Sequence, residues 1–104
     1  MANMSKYKYH EDQILEYLSA YIESTYSQHY VGKSGIQAVD VWKSLDIDEQ
    51  SFRSNIIKYA MRYKNKQGQE LKDLMKILHY TILLLDRNHI EEIQNTLNKD
   101  STSK

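Results

Sequence analysis

The 104-residue chain contains no proline and only three glycines, and this restricts its possible folds more than any other feature. Proline breaks a helix because it lacks the backbone N–H and clashes with the preceding turn, and glycine weakens a helix interior. The chain also contains no cysteine, so it can form neither a disulfide framework nor a thiolate metal site. We therefore expect long, unbroken helices around one small core.

Apolar residues recur at spacings of three and four through most of the chain, as they do along one face of an α-helix. Ile14, Leu18 and Ile22 follow this spacing in the first apolar segment. The pattern predicts an all-α fold of two short and two long helices, at about residues 10–28, 36–45, 48–66 and 69–98. We accordingly expect a flexible N-terminus at 1–9, a single helical domain at 10–98 and a disordered tail at 99–104.

The middle of the last predicted helix is apolar on nearly every side. A chain of this size can scarcely cover such a helix, which therefore lies either at the centre of the fold or in a subunit interface. Beyond Asp86 the apolar pattern narrows to Ile90, Ile93 and Leu97, which is typical of a helix that pairs with another chain. We predict a homo-oligomer assembled through this helix and the tyrosine-rich first helix.

No segment of the sequence is predicted to enter a membrane. The N-terminus lacks the apolar core of a signal peptide. The longest strongly apolar run, from Ile77 to Leu85, is interrupted by polar residues and is far too short to span a bilayer. A cytoplasmic protein without a membrane partner is the expectation.

The formal net charge is zero, so binding of bulk nucleic acid is not expected and any basic site must be local. Residues 50–69 form such a local site, because they include five lysines or arginines and no acid. Lys58 and Arg62 are four residues apart, which stacks their side chains on one edge of a helix. This pattern indicates an anionic partner. A solvated outer face, or ion pairs with Asp40 or Asp73, would also explain it.

The main predicted loop spans residues 29–35 and contains two glycines. His29 and Tyr30, just before them, could hydrogen-bond a phosphate and stack on a base. Alternatively, His29 closes the end of the preceding helix. Gly32-Lys33-Ser34 looks like the end of a phosphate-binding P-loop, but Ser27 stands where that motif needs a glycine, and a helix precedes it where a strand is required. The P-loop is therefore excluded.

The sequence shows no convincing catalytic or metal-binding constellation. His89 and Glu92 form an i, i+3 pair that could touch a metal, but no second pair accompanies it. Glu91-Glu92 lacks the partner carboxylates with which all-helical nucleotide pyrophosphatases hold Mg²⁺. No nucleophile is paired with a base. We expect no metal site and no firmly bound cofactor, with Mg²⁺ present only if the protein phosphorylates a nucleotide.

From His29 to about Leu85 the chain resembles a small bacteriophage family, whose members are described as proteins of unknown function or as nucleotide kinases. The residues that carry the resemblance are His29-Tyr30, Gly35-Ile36-Gln37 with Asp40, Asn55-Ile56-Ile57-Lys58-Tyr59 with Arg62-Tyr63, Lys66 with Gly68, and Asp73-Leu74 with Lys76 and Tyr80. The resemblance implies a phage protein that handles a nucleotide without a Walker motif. Residues 10–28 would then be a helix added to a family-like core at 29–85.

These observations together predict a protein that binds a nucleotide or a nucleotide-derived signal. In an infected bacterium, such a protein could sequester a defence signal in the cytoplasm, which needs affinity and no chemistry. The predicted binding residues are His29, Tyr30, Gly35, Gln37, Asp40, Asn55, Lys58, Tyr59, Arg62 and Lys66. Two alternatives stay open, a nucleoside monophosphate kinase and a helical inhibitor of a host protein. We favour binding over catalysis.

Overall fold

A computed structural model of the chain describes residues 6–29 and 38–102. These residues form four α-helices and no strand, which confirms the predicted all-α class. The helices are α1 (Glu11–His29), α2 (Ala38–Ser44), α3 (Asp48–Arg62) and α4 (Glu70–Thr102). The chain divides into two compact units, residues 1–41 and 42–104. None of the helices in the described ranges is both long and apolar enough to cross a membrane.

The first unit contains α1, which begins one residue later than its predicted start. His10 has a positive φ of 66°, so the helical conformation begins at Glu11. Glu11 also accepts a hydrogen bond of 2.8 Å from the backbone N–H of Tyr9, and its charge suits the positive end of the helix dipole. On α1 Leu18 is buried, whereas Leu15 is 59% exposed.

The second unit is built on an antiparallel hairpin of α3 and α4. Asp48 at the start of α3 pairs with Arg87 on α4, and Arg62 at the end of α3 pairs with Asp73 near the start of α4. The two helices therefore run in opposite directions over about four turns. A seven-residue connection, 63–69, joins them.

The end of α3 lies four residues before its predicted position at Lys66. Tyr63 adopts an extended ψ of 125° and Lys64 a positive φ of 70°, so neither residue can continue the helix. The Asn65 side chain donates a hydrogen bond of 2.8 Å to the carbonyl of Met61, which satisfies one of the free carbonyls of the last turn. The connection then leads into α4 through Gly68, whose φ of +81° favours glycine.

Four aromatic rings form the centre of the second unit. The ring of Phe52 is fully buried and lies 6.2 Å from that of Trp42 in an edge-to-face arrangement. Its centroid is 6.1 Å from that of Tyr80, which in turn stacks on Tyr59 at 6.3 Å. Aromatic pairs at these separations contribute beyond their buried area. This cluster holds α3 against α4 and fixes the position of Tyr59.

The last helix continues to Thr102, past its predicted end at Asn98. The helical conformation therefore includes 99–102 of the segment that we expected to be disordered. Arg87 pairs with the first residue of α3, so residues 88–102 extend about 22 Å beyond the hairpin. Many large apolar residues of α4 are exposed, among them Leu71, Leu74, Leu78, Ile82, Leu85, Ile90 and Leu97.

Candidate functional site

Three cationic side chains surround the ring of Tyr59, close to the connection 63–69 that joins α3 to α4. The Nζ of Lys58 lies 4.7 Å from the ring centroid, the Cζ of Arg62 lies 4.9 Å from it, and the Nζ of Lys76 on α4 lies 5.6 Å from it. The negative face of an aromatic ring attracts cations at these distances. The aromatic core thus gathers positive charge from both helices at one position.

Arg62 is already paired with a carboxylate of this chain. Its Nε donates to Asp73 Oδ1 at 3.1 Å and to Oδ2 at 3.3 Å, and its Nη2 also donates to Oδ1. These bonds lower the pKa of Asp73 despite the opposing effect of burial, and the positive charges of Lys66 and Lys76 add to the lowering. The same bonds raise the pKa of Arg62. One of the ion pairs considered from the sequence, between Arg62 and Asp73, is therefore present.

We call Lys58, Arg62, Lys66 and Lys76 the basic cluster. Within the described residues, Asp73 is the only carboxylate that forms an ion pair with a member of this cluster. The four positive charges of the cluster thus exceed the single carboxylate that pairs with them. Lys58 and Lys66 are exposed and Lys76 is half-buried, so their ammonium groups can reach a ligand in solvent. This arrangement can bind an anion.

The predicted site residues fall into two groups. The first group is at the basic cluster, which contains Lys58, Arg62 and Lys66 and lies against the ring of Tyr59. On the same helix, the side-chain amide of Asn55 donates a hydrogen bond of 2.8 Å to the backbone carbonyl of Ser51, so this amide is engaged within α3.

The other predicted site residues belong to the first unit. Asp40 is an exposed residue of α2, and His29 is the last residue of α1. Tyr30, Gly35 and Gln37 lie outside the described residues. Their participation in a common site with the basic cluster stays a prediction.

The sequence alone did not single out two features of the second unit. The sequence points to Lys76 only through the family resemblance, because the approach of Lys76 to Tyr59 depends on how α4 packs against α3. Arg87 forms the second feature, since its Nε donates to Asp48 Oδ2 at 2.8 Å and its Nη1 to Glu49 Oε1 at 3.0 Å. Asp48 and Arg87 are 39 residues apart, so no local spacing could indicate this pair.

Asp48 is an acid at a helix start, where such residues often cap the first turn. Here α3 has no side-chain capping bond, and the N-cap position is Ile47. Burial would raise the pKa of Asp48, but hydrogen bonds from Arg87 and from its own backbone N–H outweigh this effect and lower the pKa. Lys43 Nζ at 3.6 Å adds its charge. The ion pair between Asp48 and Arg87 thus joins α3 to α4 at the end of the hairpin opposite the basic cluster.

The two residues that the sequence offered as a possible metal contact, His89 and Glu92, lie on α4. His89 Nδ1 lies 3.3 Å from Glu92 Oε1 on the exposed part of α4. Across 6–29 and 38–102, no three histidine, aspartate or glutamate side chains are grouped closely enough to hold a metal ion. The contact joins neighbouring turns of α4, and the absence of a metal site stays a prediction from the sequence.

Comparison with known proteins adds one match. A family model described as a protein of unknown function, DUF3310, matches residues 24–81, which is more than half of the chain. No curated protein and no solved structure matches. The matched range includes α2, α3 and the first part of α4, and hence every residue of the basic cluster.

Proposed function

The chain belongs to the DUF3310 family of unknown function, and from the geometry of its own residues we propose that it binds a nucleotide or a nucleotide-derived molecule through the phosphates. The observation that carries this proposal is the excess of positive charge in the basic cluster, where a single carboxylate, Asp73, pairs with Arg62. The resemblance in sequence to a phage family, some of whose members are described as nucleotide kinases, favours a nucleotide over other anions. In an infected cell, the protein would sequester such a molecule.

The physical basis of binding is charge attraction beside an apolar wall. The ring of Tyr59 backs the cluster and stacks on Tyr80, so water has little access from that side. Charges interact more strongly where water is partly excluded. Lys58 lies beside this ring and is exposed, and Lys66 is exposed near Asp73, so both ammonium groups can contact phosphate oxygens.

Binding without chemistry accounts for the cluster more simply than phosphoryl transfer does. A kinase needs carboxylates to hold Mg²⁺ and a group to orient the nucleophile. Asp73, the carboxylate that pairs with the cluster in the described structure, is fully buried and already accepts hydrogen bonds from Arg62. It therefore cannot serve a metal ion without losing that pair.

The first test is nucleotide binding by the wild-type chain and by Lys58→Gln/Lys76→Gln. A ligand that binds only the folded state must raise the melting temperature, so thermal-shift screening with mono-, di- and cyclic nucleotides identifies the best one. Calorimetry with that nucleotide should show binding weakened about tenfold or more in the double variant, because each lost charged contact removes of order 1 kcal/mol.

Lys99→Gln is the matched control. It removes the same charge from the same helix about 35 Å from Lys76 and should bind like the wild type. The proposal is wrong if no nucleotide stabilises the protein, or if the double variant binds as tightly as the wild type does.

We also propose that the chain self-associates through α4. An eleven-residue spacing returns to nearly the same face of a helix after three turns. Two pairs of apolar residues on α4 have this spacing, Leu71 with Ile82 and Leu74 with Leu85. All four side chains are exposed: Leu71 by 55%, Leu74 by 38%, Ile82 by 38% and Leu85 by 42%. A second copy supplies a helix with the same repeat, and two identical stripes can form a symmetric interface.

Light scattering after size exclusion tests this self-association. The wild type should be a dimer or larger at micromolar concentration. Ile82→Glu should convert it to a monomer, because the change places a charge in the apolar stripe. Thr81→Glu, on the neighbouring exposed position, is the control and should keep the wild-type mass. A monomeric wild type would contradict the proposal.

A further inference from the structure

We propose that the basic cluster selects its ligand by the number of phosphates and is indifferent to the base. This inference deepens the proposed function and rests on it. Two kinds of group at the basic cluster could recognise a base. One is the aromatic ring of Tyr59, and the other is the set of directional hydrogen-bond donors, the Arg62 guanidinium and the Asn55 amide. Both are engaged within the second unit.

The ring of Tyr59 has no free face for a base. It is only 9% exposed. One ring neighbour, Tyr80, stacks on it with an angle of 11° between the planes. Lys58, Arg62 and Lys76 lie around it within 5.6 Å of its centroid. Stacking on a base needs an exposed face, so Tyr59 supports the cations instead of contacting the ligand.

The directional donors are engaged as well. The guanidinium of Arg62 could grip a planar group with two parallel N–H bonds, but its Nε and Nη2 already donate to Asp73. The amide of Asn55 donates to Ser51 in its own helix. The remaining cations are lysines, and an ammonium on a flexible stem acts as a point charge without a preferred ligand geometry.

Affinity should therefore depend on ligand charge. A second phosphate brings additional negative charge to a site with several lysines, and each additional charged contact strengthens binding about tenfold. Exchange of one base for another changes no contact in the cluster. Added salt should lower the binding affinity of every ligand, and the loss of affinity should be largest for the most highly charged ligands.

The experiment compares AMP, ADP, GDP, UDP, inorganic pyrophosphate and tripolyphosphate by calorimetry at two salt concentrations. The three nucleoside diphosphates and pyrophosphate should bind within about threefold of one another. AMP should bind about tenfold more weakly than ADP, and tripolyphosphate more tightly than pyrophosphate. Lys58→Gln/Lys76→Gln should reduce these differences, and Lys99→Gln should leave them unchanged.

Two other outcomes would separate this inference from the proposed function. A difference of more than tenfold between ADP, GDP and UDP, with binding still dependent on Lys58 and Lys76, would overturn base indifference and leave nucleotide binding intact. Tyr63, half-buried at the end of α3, would then be the ring to test, by Tyr63→Leu. If none of the six ligands binds while the thermal-shift screen finds another nucleotide that does, this inference fails and the proposed function stands. If that screen also finds no nucleotide, both fail.

Discussion

Replacement of Phe52 by alanine should lower the free energy of unfolding by about 3–5 kcal/mol. The Phe52 ring is fully buried between Trp42 and Tyr80, with centroid distances of 6.2 and 6.1 Å. Removal of the ring leaves a cavity at the centre of the second unit. The neighbouring rings belong to separate helices and can close this cavity only by moving the helices.

Thermal and urea unfolding, followed by circular dichroism at 222 nm, measure this loss. For a domain of this size, each kcal/mol corresponds to roughly 4–8 °C of melting temperature, so the variant should melt well below the wild type. Met61→Ala is the matched control, because Met61 lies on the same helix and is 72% exposed. Equal losses for the two variants would show that Phe52 is not at the centre of the core.

The rings around Phe52 also show why the fold class could be predicted and its details could not. Helical spacing is a local property, so the sequence indicated four helices, and it placed Lys58 and Arg62 on one edge of α3. The sequence predicts an end of α3 that is four residues too late, because the apolar spacing continues into Tyr63 although the backbone leaves the helical conformation there. A non-glycine residue at positive φ, Lys64, gives no signal in the sequence.

The candidate site was predictable only where its residues share a helix. Lys76 reaches Tyr59 from α4, and Asp73 reaches Arg62 from a position eleven residues later in the chain. The sequence left open whether Arg62 would face an external anion or a carboxylate of this chain. The choice depends on the turn at 63–69, which brings Asp73 beside Arg62 and buries it completely.

The Arg62–Asp73 pair should make the stability of the protein depend on acid pH. The pKa of Asp73 in the folded protein is lowered below its ordinary value of 3.8. The carboxylate therefore binds a proton more readily in the unfolded chain, and stability is lost as the pH falls below about 4 and through the folded pKa. Above this range, the contribution of the pair is fully present.

Arg62→Met should destabilise the protein more than Asp73→Asn does. Asp73 is fully buried, so loss of the guanidinium leaves a charge without its principal partner, whereas the Arg62 side chain is 29% exposed and can turn towards water. Without Arg62, the largest influence that lowers the pKa of Asp73 is gone, while burial still raises it. The pKa of Asp73 should rise, and protonation should then relieve the buried charge at a higher pH.

The difference in unfolding free energy between the wild type and Arg62→Met should thus be large at pH 7 and should shrink towards pH 3. Urea unfolding at the two pH values measures both differences. Arg53→Met is the control, because Arg53 is 67% exposed and pairs with Glu49 at 3.9 Å, so its loss should change stability little at either pH. A difference for Arg62→Met that stays constant from pH 7 to pH 3 would show that the charge of Asp73 does not depend on this guanidinium.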